Sequence, residues 1–349
     1  MSFRVRGTTL PDRQTRTLVI DGDRLHIDEN SAVELISDGG WILPGLVDAH
    51  THPGSDKPNT EFTESNLRKN LIDHRDAGVL LVRAPGSPER LPAWTEEDPE
   101  LPRVRSAGNW LIQPGTFYSG SGRAVTGEAL VAAAVEEARA SSGWCKIVGD
   151  WMPSDPAVPV EVLTDVVRAV HAIGGRVAVH AQTAVGCHNA VMAGADSLEH
   201  GLHLDLGLLD RMAAQGTALV PTLTAFSKVP ELVDAQVPSE VLDWLMTGWA
   251  GQLPTARAAY EAGVTVLAGT DGLPFGNIAT EVDWLLKAGL PPEVAVGAAS
   301  WTARDWLGLP RRISDGVLAD LVIYDEDPVF TPGVLTHPKR IILKGRVVL

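Results

Sequence analysis

Short apolar runs alternate with longer amphipathic segments through most of the chain, and this alternation predicts its architecture. The apolar runs have the length of buried strands and lie at residues 45–50, 79–84, 104–110, 144–150, 176–181, 196–200, 217–221 and 264–270. Helical spacing of apolar residues occurs in segments 61–76, 127–141, 161–173, 185–192 and 206–214. Strands that alternate with helices in this way predict an α/β fold, a (β/α)8 TIM barrel. A doubly wound sheet is the alternative, but no glycine-rich dinucleotide motif follows any predicted strand.

The two ends of the chain have a different pattern. Short β-like pieces separated by turn signals occupy residues 3–8, 17–20 and 24–27, and β-like pieces return at 319–324, 339–343 and 346–349. Because chain ends often lie close together, we expect residues 1–44 and 312–349 to form one small β-sandwich module. Residues 45–311 then form the barrel. The segment 222–238 interrupts the alternation, and a connection of this length is typically a lid or a binding loop.

Composition restricts the class of protein and its partners. The chain has 349 residues, of which 44% are hydrophobic, and a formal net charge of −15. This charge argues against a nucleic-acid partner and against binding to an anionic membrane surface. No apolar run has membrane-spanning length, the N-terminus lacks the apolar region of a secretory signal, and only two cysteines are present. We therefore expect a cytoplasmic protein with a small-molecule substrate, and leave open whether it forms a homo-oligomer.

The most informative motif lies at the end of the first predicted strand. His50 and His52 are two residues apart, and strand geometry places residues i and i+2 on the same face. Both imidazoles can therefore bind one metal ion. Further residues of ligand type lie in or after later strands: Lys146 in the fourth, His180 in the fifth, His200 in the sixth and Asp271 after the eighth. Because the chemistry of barrels collects at the C-terminal ends of the strands, these residues predict a metal site there.

These motifs resemble those of the amidohydrolase superfamily, and among its branches the imidazolonepropionase-like and prolidase-like (Xaa-Pro dipeptidase-type) enzymes. The resemblance covers nearly the whole chain and is carried by segments 43–52 (LPGLVDAHTH), 197–201 (SLEHG), 268–271 (AGTD) and 313–322 (ISDGVLADLV). It implies two metal ions. One ion would be held by His50, His52, carboxylated Lys146 and Asp271, and the other by carboxylated Lys146, His180 and His200. Imidazolonepropionase itself generally works with one metal and no such lysine, so Lys146 favours the binuclear branch.

The resemblance also implies a reaction. A metal-bridging hydroxide would attack the carbon of an amide bond, and Asp271 would accept its proton and pass it to the leaving nitrogen. Zinc is the first choice of metal and manganese the second. Carbon dioxide would carboxylate the Lys146 amine, which burial helps to keep neutral. The expected substrate is a small N-acyl amino acid or a dipeptide, such as one ending in proline.

Other functions remain open at this point. The same binuclear site would serve a deaminase or a lactone or phosphotriester hydrolase, because the same nucleophile attacks amidine carbons, esters and phosphorus. A non-catalytic scaffold of the same family is disfavoured, because every ligand position is filled. Measuring ammonia release against release of amine and acid separates the first of these alternatives from amide hydrolysis.

Three residues outside the ligand set are candidate substrate contacts. Tyr118 follows the third strand, where its phenol could polarise a scissile carbonyl; packing is the alternative. Arg83 ends the second strand and could bind a substrate carboxylate, or else form a structural ion pair with an acidic residue of the barrel. His203 follows His200 by three residues and is either a substrate contact or an exposed loop histidine.

Overall fold

The computed structural model describes residues 2–54, 62–118, 121–234 and 237–349. The strands are β1 (Phe3–Thr9), β2 (Gln14–Asp21), β3 (Arg24–Ile27), β4 (Leu35–Pro44), β5 (Leu46–Asp48), β6 (Val79–Ala84), β7 (Arg103–Ser106), β8 (Trp110–Ile112), β9 (Arg123–Ala124), β10 (Trp144–Val148), β11 (Arg176–Ala181), β12 (Ser197–His200), β13 (Ala218–Val220), β14 (Leu321–Tyr324), β15 (Arg340–Leu343) and β16 (Arg346–Val347). The helices are α1 (Glu64–Asp76), α2 (Trp94–Glu97), α3 (Glu128–Arg139), α4 (Val160–His171), α5 (Ala184–Ala193), α6 (Leu209–Gln215), α7 (Leu223–Phe226), α8 (Ser239–Glu261), α9 (Ile278–Lys287), α10 (Pro292–Ala298) and α11 (Trp301–Trp306). Among the described residues, no helix is both long enough and apolar enough to cross a membrane.

Strands from both ends of the chain form one seven-stranded sheet, in the order β16-β15-β14-β4-β1-β2-β3. The sheet folds back on itself, since the backbone N–H of Leu25 in β3 donates to Val317 O at 3.0 Å and that of Ala319, just before β14, donates to Asp23 O at 2.9 Å. Side chains of β1, β2, β3 and β15 thereby share one apolar cluster. The expected sandwich is therefore built from a single continuous sheet. The limits 1–44 and 312–349 stay a prediction.

Parallel strands make up the rest of the sheet structure. One sheet has the order β5-β6-β7 and another β13-β12-β11-β10-β8-β9. The predicted eighth strand, residues 264–270, is reduced to an isolated parallel bridge between Val266 and Leu219. The segment still links the two sheets, because Leu267 N donates to Leu219 O (3.0 Å) and Ala49 N donates to Ala268 O (2.9 Å). The expected α/β fold with a barrel core and a β-rich module is confirmed.

The third barrel strand is broken, and the break has a local cause. Residues 107–109 separate β7, which pairs with β6, from β8, which pairs with β10. The buried carboxylate of Glu137 in α3 accepts a hydrogen bond from Asn109 N at 3.0 Å. Gly108 has φ +70°, and a Cβ there would lie 2.5 Å from Glu137 Oε2. Glycine is therefore required where the strand bends around this carboxylate.

The predicted helices correspond to α1, α3, α4, α5 and α6, with ends shifted by a few residues. In α4 the buried residues Leu163, Val166, Val167 and Val170 recur at helical spacing and face the barrel. Thr63 caps α1 by accepting a hydrogen bond from Asn66 N, and the expected first residue of that helix, Glu61, lies outside the described residues. The interrupted segment 222–238 contains α7 and a 3₁₀ turn at Val229–Asp234; residues 235–236 of this segment lie outside the description.

Candidate metal centre

The predicted ligands come together at the C-terminal ends of the barrel strands. All six line one cavity of about 500 Å³: His50, His52, Lys146, His180, His200 and Asp271. The Nε2 atoms of His50 and His52 are 3.2 Å apart, and Asp271 Oδ1 lies 3.7 Å from the first and 3.4 Å from the second. The rings of His180 and His200 are adjacent, with centroids 4.4 Å apart, and the centroid of His200 is 4.9 Å from that of His50.

Hydrogen bonds indicate which nitrogen faces the ligand space in three of the four histidines. His50 Nδ1 donates to Glu199 Oε2 at 2.6 Å, and His52 Nδ1 donates to Gly86 O at 2.8 Å, because neither acceptor carries a proton to give. The hydroxyl of Thr222 donates to Pro221 O, so it accepts from His200 Nδ1 at 2.8 Å. In these three rings the Nδ1 atom is engaged and Nε2 is the nitrogen left to face the ligand space. In the fourth ring, His180, it is Nε2 that accepts a hydrogen bond, from Gln182 Nε2 at 3.1 Å.

The histidines are suited to metal binding in their charge as well. Burial holds the pKa of His52, His180 and His200 well below the usual value, and neighbouring positive charges lower it further. Ligand atoms of His50, His52 and Asp271 all lie within 4.8 Å of one another, so two imidazole nitrogens and a carboxylate oxygen can reach one ion. The residues therefore fit a bound metal ion.

Lys146 fits the bridging role that the resemblance implies. Its side chain is 2% exposed, and its Nζ has no hydrogen-bond partner among the described residues. Burial lowers the pKa of Lys146 to about 8, although the nearby charge of Glu199 opposes the shift. A buried amine without partners is costly to keep charged, and a neutral amine is the form that reacts with carbon dioxide. The carboxylated form of Lys146 would itself be a ligand to the metal ions, and these would be partners that the free amine lacks.

Backbone strain is concentrated at this end of the barrel. His200, Thr222 and Asp271 have φ of +71°, +50° and +42°, in the left-handed region that non-glycine residues rarely adopt. Each such residue costs on the order of 1–3 kcal/mol and persists where the surroundings impose it. These three residues lie at or just after the ends of β12, β13 and the segment 264–270.

Burial also raises the pKa of Asp271, whose side chain is 27% exposed at the cavity.

The prediction that Arg83 contacts substrate is corrected by its position. Its side chain is 1% exposed and both Nη atoms donate to Glu199 Oε1 at 3.0 Å, with a further bond from Nη2 to Ser197 Oγ. The guanidinium also lies over the ring of Trp144, 4.4 Å from its centroid. Arg83 therefore forms the structural ion pair that the sequence left as the alternative, because β6 and β12 both turn these side chains into the barrel interior.

His203 is also placed away from the cavity. Its ring stacks on Trp244 of α8 with centroids 4.8 Å apart, and its Nε2 is buried without a hydrogen-bond partner among the described residues. The reason is that α8 covers the loop after β12, which the sequence did not predict. Its substrate-binding role is corrected to packing against this helix.

Tyr118 does line the cavity, as do Trp110 and Trp151, so its role stays a prediction that the geometry permits. Burial raises the pKa of Tyr118 to about 12, which keeps the phenol protonated and able to donate. Sequence reasoning missed Glu199 and Thr222, which orient the ligand histidines. A glutamate inside the predicted strand 196–200 was the one available signal for Glu199.

A comparison with known families defines the class of protein. The model of the amidohydrolase family matches residues 41–348, and the chain therefore belongs to this family of hydrolases. An uncharacterized protein of Mycobacterium tuberculosis is 38% identical over 357 residues, which cover 98% of this chain and 94% of that protein. Imidazolonepropionase of Streptomyces coelicolor is 26% identical over 359 residues, covering 91% of this chain and 88% of that enzyme.

Solved structures of other proteins have a similar fold. A prolidase in complex with N-methylphosphonate-L-proline superimposes with a TM-score of 0.87 at 21% identity, covering 100% of this chain and 99% of the other. Ochratoxinase of Aspergillus niger superimposes with a TM-score of 0.83 at 19% identity, covering 99% and 95%. These structures share the barrel and the β-rich module with this chain.

Proposed function

We propose that the protein is a binuclear metal-dependent amidohydrolase that cleaves the amide bond of a small N-acyl amino acid or dipeptide. The observation that carries the proposal is the convergence of four histidines, a buried amine without a hydrogen-bond partner among the described residues and a carboxylate in one cavity. Membership of the amidohydrolase family supports hydrolysis, and the similarity in fold to a prolidase supports an amide substrate.

His50, His52 and Asp271 would hold one metal ion, and their ligand atoms lie within 4.8 Å of one another. His180 and His200 would hold the second, with carboxylated Lys146 shared between the two. Zinc is the first choice for this mixture of nitrogen and oxygen ligands, and manganese is the alternative. Metal ions bound by these residues would supply Lewis acidity and lower the pKa of a bound water molecule.

The remaining steps fall to residues of the chain itself. The carboxylate of Asp271 lines the cavity and lies 3.4 Å from His52 Nε2, which supports the proposal that it accepts a proton from the attacking water and gives it to the leaving nitrogen. Tyr118 lines the cavity wall, and its raised pKa supports the proposal that a neutral phenol donates to the scissile carbonyl. We retain the predictions of a cytoplasmic location and a small-molecule substrate.

The proposal is tested by counting metal and product. Protein loaded with zinc or manganese is expected to contain two equivalents by mass spectrometry of the dialysed sample, and Lys146→Ala at most one. A panel of N-acyl amino acids, dipeptides, lactones and aminated heterocycles is then assayed for amine, acid and ammonia. A maximum of one equivalent in the wild type, or full activity in Lys146→Ala, would refute the binuclear site. Ammonia as the product would assign a deaminase.

A further inference from the structure

The cavity has one cationic side chain that the metal centre does not use. Two of the described residues that line it are lysines, Lys146 and Lys228, and Lys146 belongs to the metal centre. Lys228 lies on the turn between α7 and the following 3₁₀ turn, exposed at the mouth of the cavity. Its Nζ donates to Leu273 O at 3.2 Å. Since Leu273 follows Asp271 by two residues, this bond holds the ammonium beside the segment that carries the catalytic carboxylate.

The ammonium of Lys228 is available to an incoming anion. A lysine has three N–H donors, and only the bond to Leu273 O engages them among the described residues. No carboxylate of the described part of the chain forms an ion pair with Lys228, although the chain carries 44 acidic residues. Lys339, in contrast, pairs with Asp325 at 2.7 Å. In a protein with a net charge of −15, a free ammonium at a cavity mouth attracts an anionic substrate locally.

The walls of the cavity are mainly apolar and aromatic. On one side Phe117 packs edge-to-face against Trp110 and Trp151, with centroids 5.2 and 4.8 Å away. Phe226 and Leu245 lie among the residues that line the rest of the cavity, and three of the six phenylalanines of the chain line it altogether. A volume of about 500 Å³ is in the range of sites that enclose drug-sized ligands.

Phe117 itself is held in an unfavourable conformation. Its φ of +62° lies in the left-handed region, where a bulky side chain is a genuine outlier. Strain of this kind clusters at ligand sites, because the surrounding contacts must impose it. Here the imposed conformation places the ring between two tryptophans at the cavity wall.

We propose that Lys228 binds a free carboxylate on one side of the scissile amide, while the wall of Trp110, Phe117 and Trp151 receives a bulky apolar group on the other side. This inference rests on the proposed function and names its substrate class: N-acyl amino acids with a free carboxylate and a large apolar acyl group. Compact N-acetyl amino acids leave the aromatic wall unfilled and are poorer substrates. Lys228 is a specificity-determining residue in this scheme.

Binding of a non-hydrolysable probe tests the inference without catalysis. N-tosyl-L-phenylalanine and its carboxamide have the same apolar groups and differ in the carboxylate, and titration calorimetry with the metal-loaded protein measures both. Lys228→Met is expected to weaken binding of the acid about tenfold, equivalent to about 1.4 kcal/mol, and to leave the carboxamide unchanged. Lys228→Arg retains the charge and most of the affinity, and added salt reduces the preference for the acid.

The control is Lys287→Met, which removes the same charge from the exposed end of α9, where Lys287 lies over the ring of Trp284. It is expected to leave both affinities unchanged. Equal weakening of acid and carboxamide by Lys228→Met, or the same loss in Lys287→Met, would overturn the carboxylate subsite.

Hydrolysis of N-benzoyl-L-phenylalanine and its carboxamide, followed by benzoate release, separates this inference from the function on which it rests. If the wild type binds the sulfonamide acid through Lys228 but cleaves neither benzoyl compound, hydrolysis of N-acyl amino acids is refuted and the carboxylate subsite stands. If both compounds are cleaved and Lys228→Met lowers kcat/KM equally for both, the function stands and the subsite is overturned. Faster hydrolysis of N-acetyl-L-phenylalanine than of the benzoyl acid would overturn the role of the aromatic wall.

Discussion

Glu199→Gln is the most informative single change in the barrel. The Glu199 side chain is fully buried. Its Oε1 accepts hydrogen bonds from Arg83 and Ser197, and its Oε2 accepts one from His50 Nδ1. Burial alone would raise the pKa of Glu199, but the charges of Arg83 and Lys146 outweigh it and hold the pKa well below the usual value. The carboxylate is therefore ionised, and replacing it with an amide leaves the guanidinium of Arg83 buried without a counter-charge.

The magnitude follows from this uncompensated charge. Removing one partner of a buried, hydrogen-bonded ion pair costs about 3–5 kcal/mol. An unfolding entropy of about 2.1 cal/mol/K per residue gives about 0.7 kcal/mol/K for 349 residues, so Tm is expected to fall by about 4–7 °C. Since Glu199 also orients the His50 ring, metal affinity is expected to fall about 10–100-fold.

Scanning calorimetry in the presence of a chelator measures the first effect without a contribution from metal, and competition with a zinc indicator measures the second. The control is Glu261→Gln, which breaks an exposed ion pair with Arg257 and is expected to change stability by less than about 0.5 kcal/mol. Adding Arg83→Met to Glu199→Gln should restore part of the stability, because both charges are then absent. A fall in Tm no larger than that of the control, or a double variant as unstable as the sum of the single changes, would refute the reasoning.

Three further predictions concern other parts of the molecule. Burial alone would raise the pKa of Glu137, but hydrogen bonds from Arg90 and Asn109 N outweigh burial, and the pKa is lowered in the folded protein. The stability that the ionised carboxylate provides is therefore present above the pKa of Glu137 in the unfolded chain. It is lost as the pH falls through the pKa in the folded protein. Glu137→Gln should therefore lower the free energy of unfolding by about 2 kcal/mol at pH 7 and by less at pH 4 in urea titrations, and an equal loss at both would contradict this. Lys146→Met should stabilise the metal-free protein by about 1–3 kcal/mol, because it removes a buried amine without partners; a lower Tm than the wild type in chelator would show that the amine is satisfied. Tyr118→Phe should lower kcat about 100-fold with little change in KM if the phenol donates to the scissile carbonyl, and an unchanged kcat would assign the residue to packing.

Local patterns in the sequence were sufficient for much of the architecture. Apolar runs and helical spacing predicted the barrel because strand and helix periodicities follow from backbone geometry alone. The same geometry placed His50 and His52 on one face, and the position of His180, His200 and Asp271 at strand ends predicted that they would share a mouth of the barrel. Their roles as metal ligands stay predictions for the metal analysis to test.

What the tertiary structure decided depends on partners that are distant in the chain. The sequence allowed Arg83 either to contact substrate or to form an ion pair. Its partner Glu199 is 116 residues away in the chain, and the two side chains meet only because β6 and β12 both face the barrel interior. His203 required knowledge that α8 lies over its loop. The break in the third strand depends on Glu137, which α3 brings against Gly108. Sequence by itself thus determined which residues have the chemistry of a metal centre and which end of the barrel carries them, because both follow from local periodicity; burial, hydrogen-bond partners and the free ammonium of Lys228 arise only when segments far apart in the chain pack together.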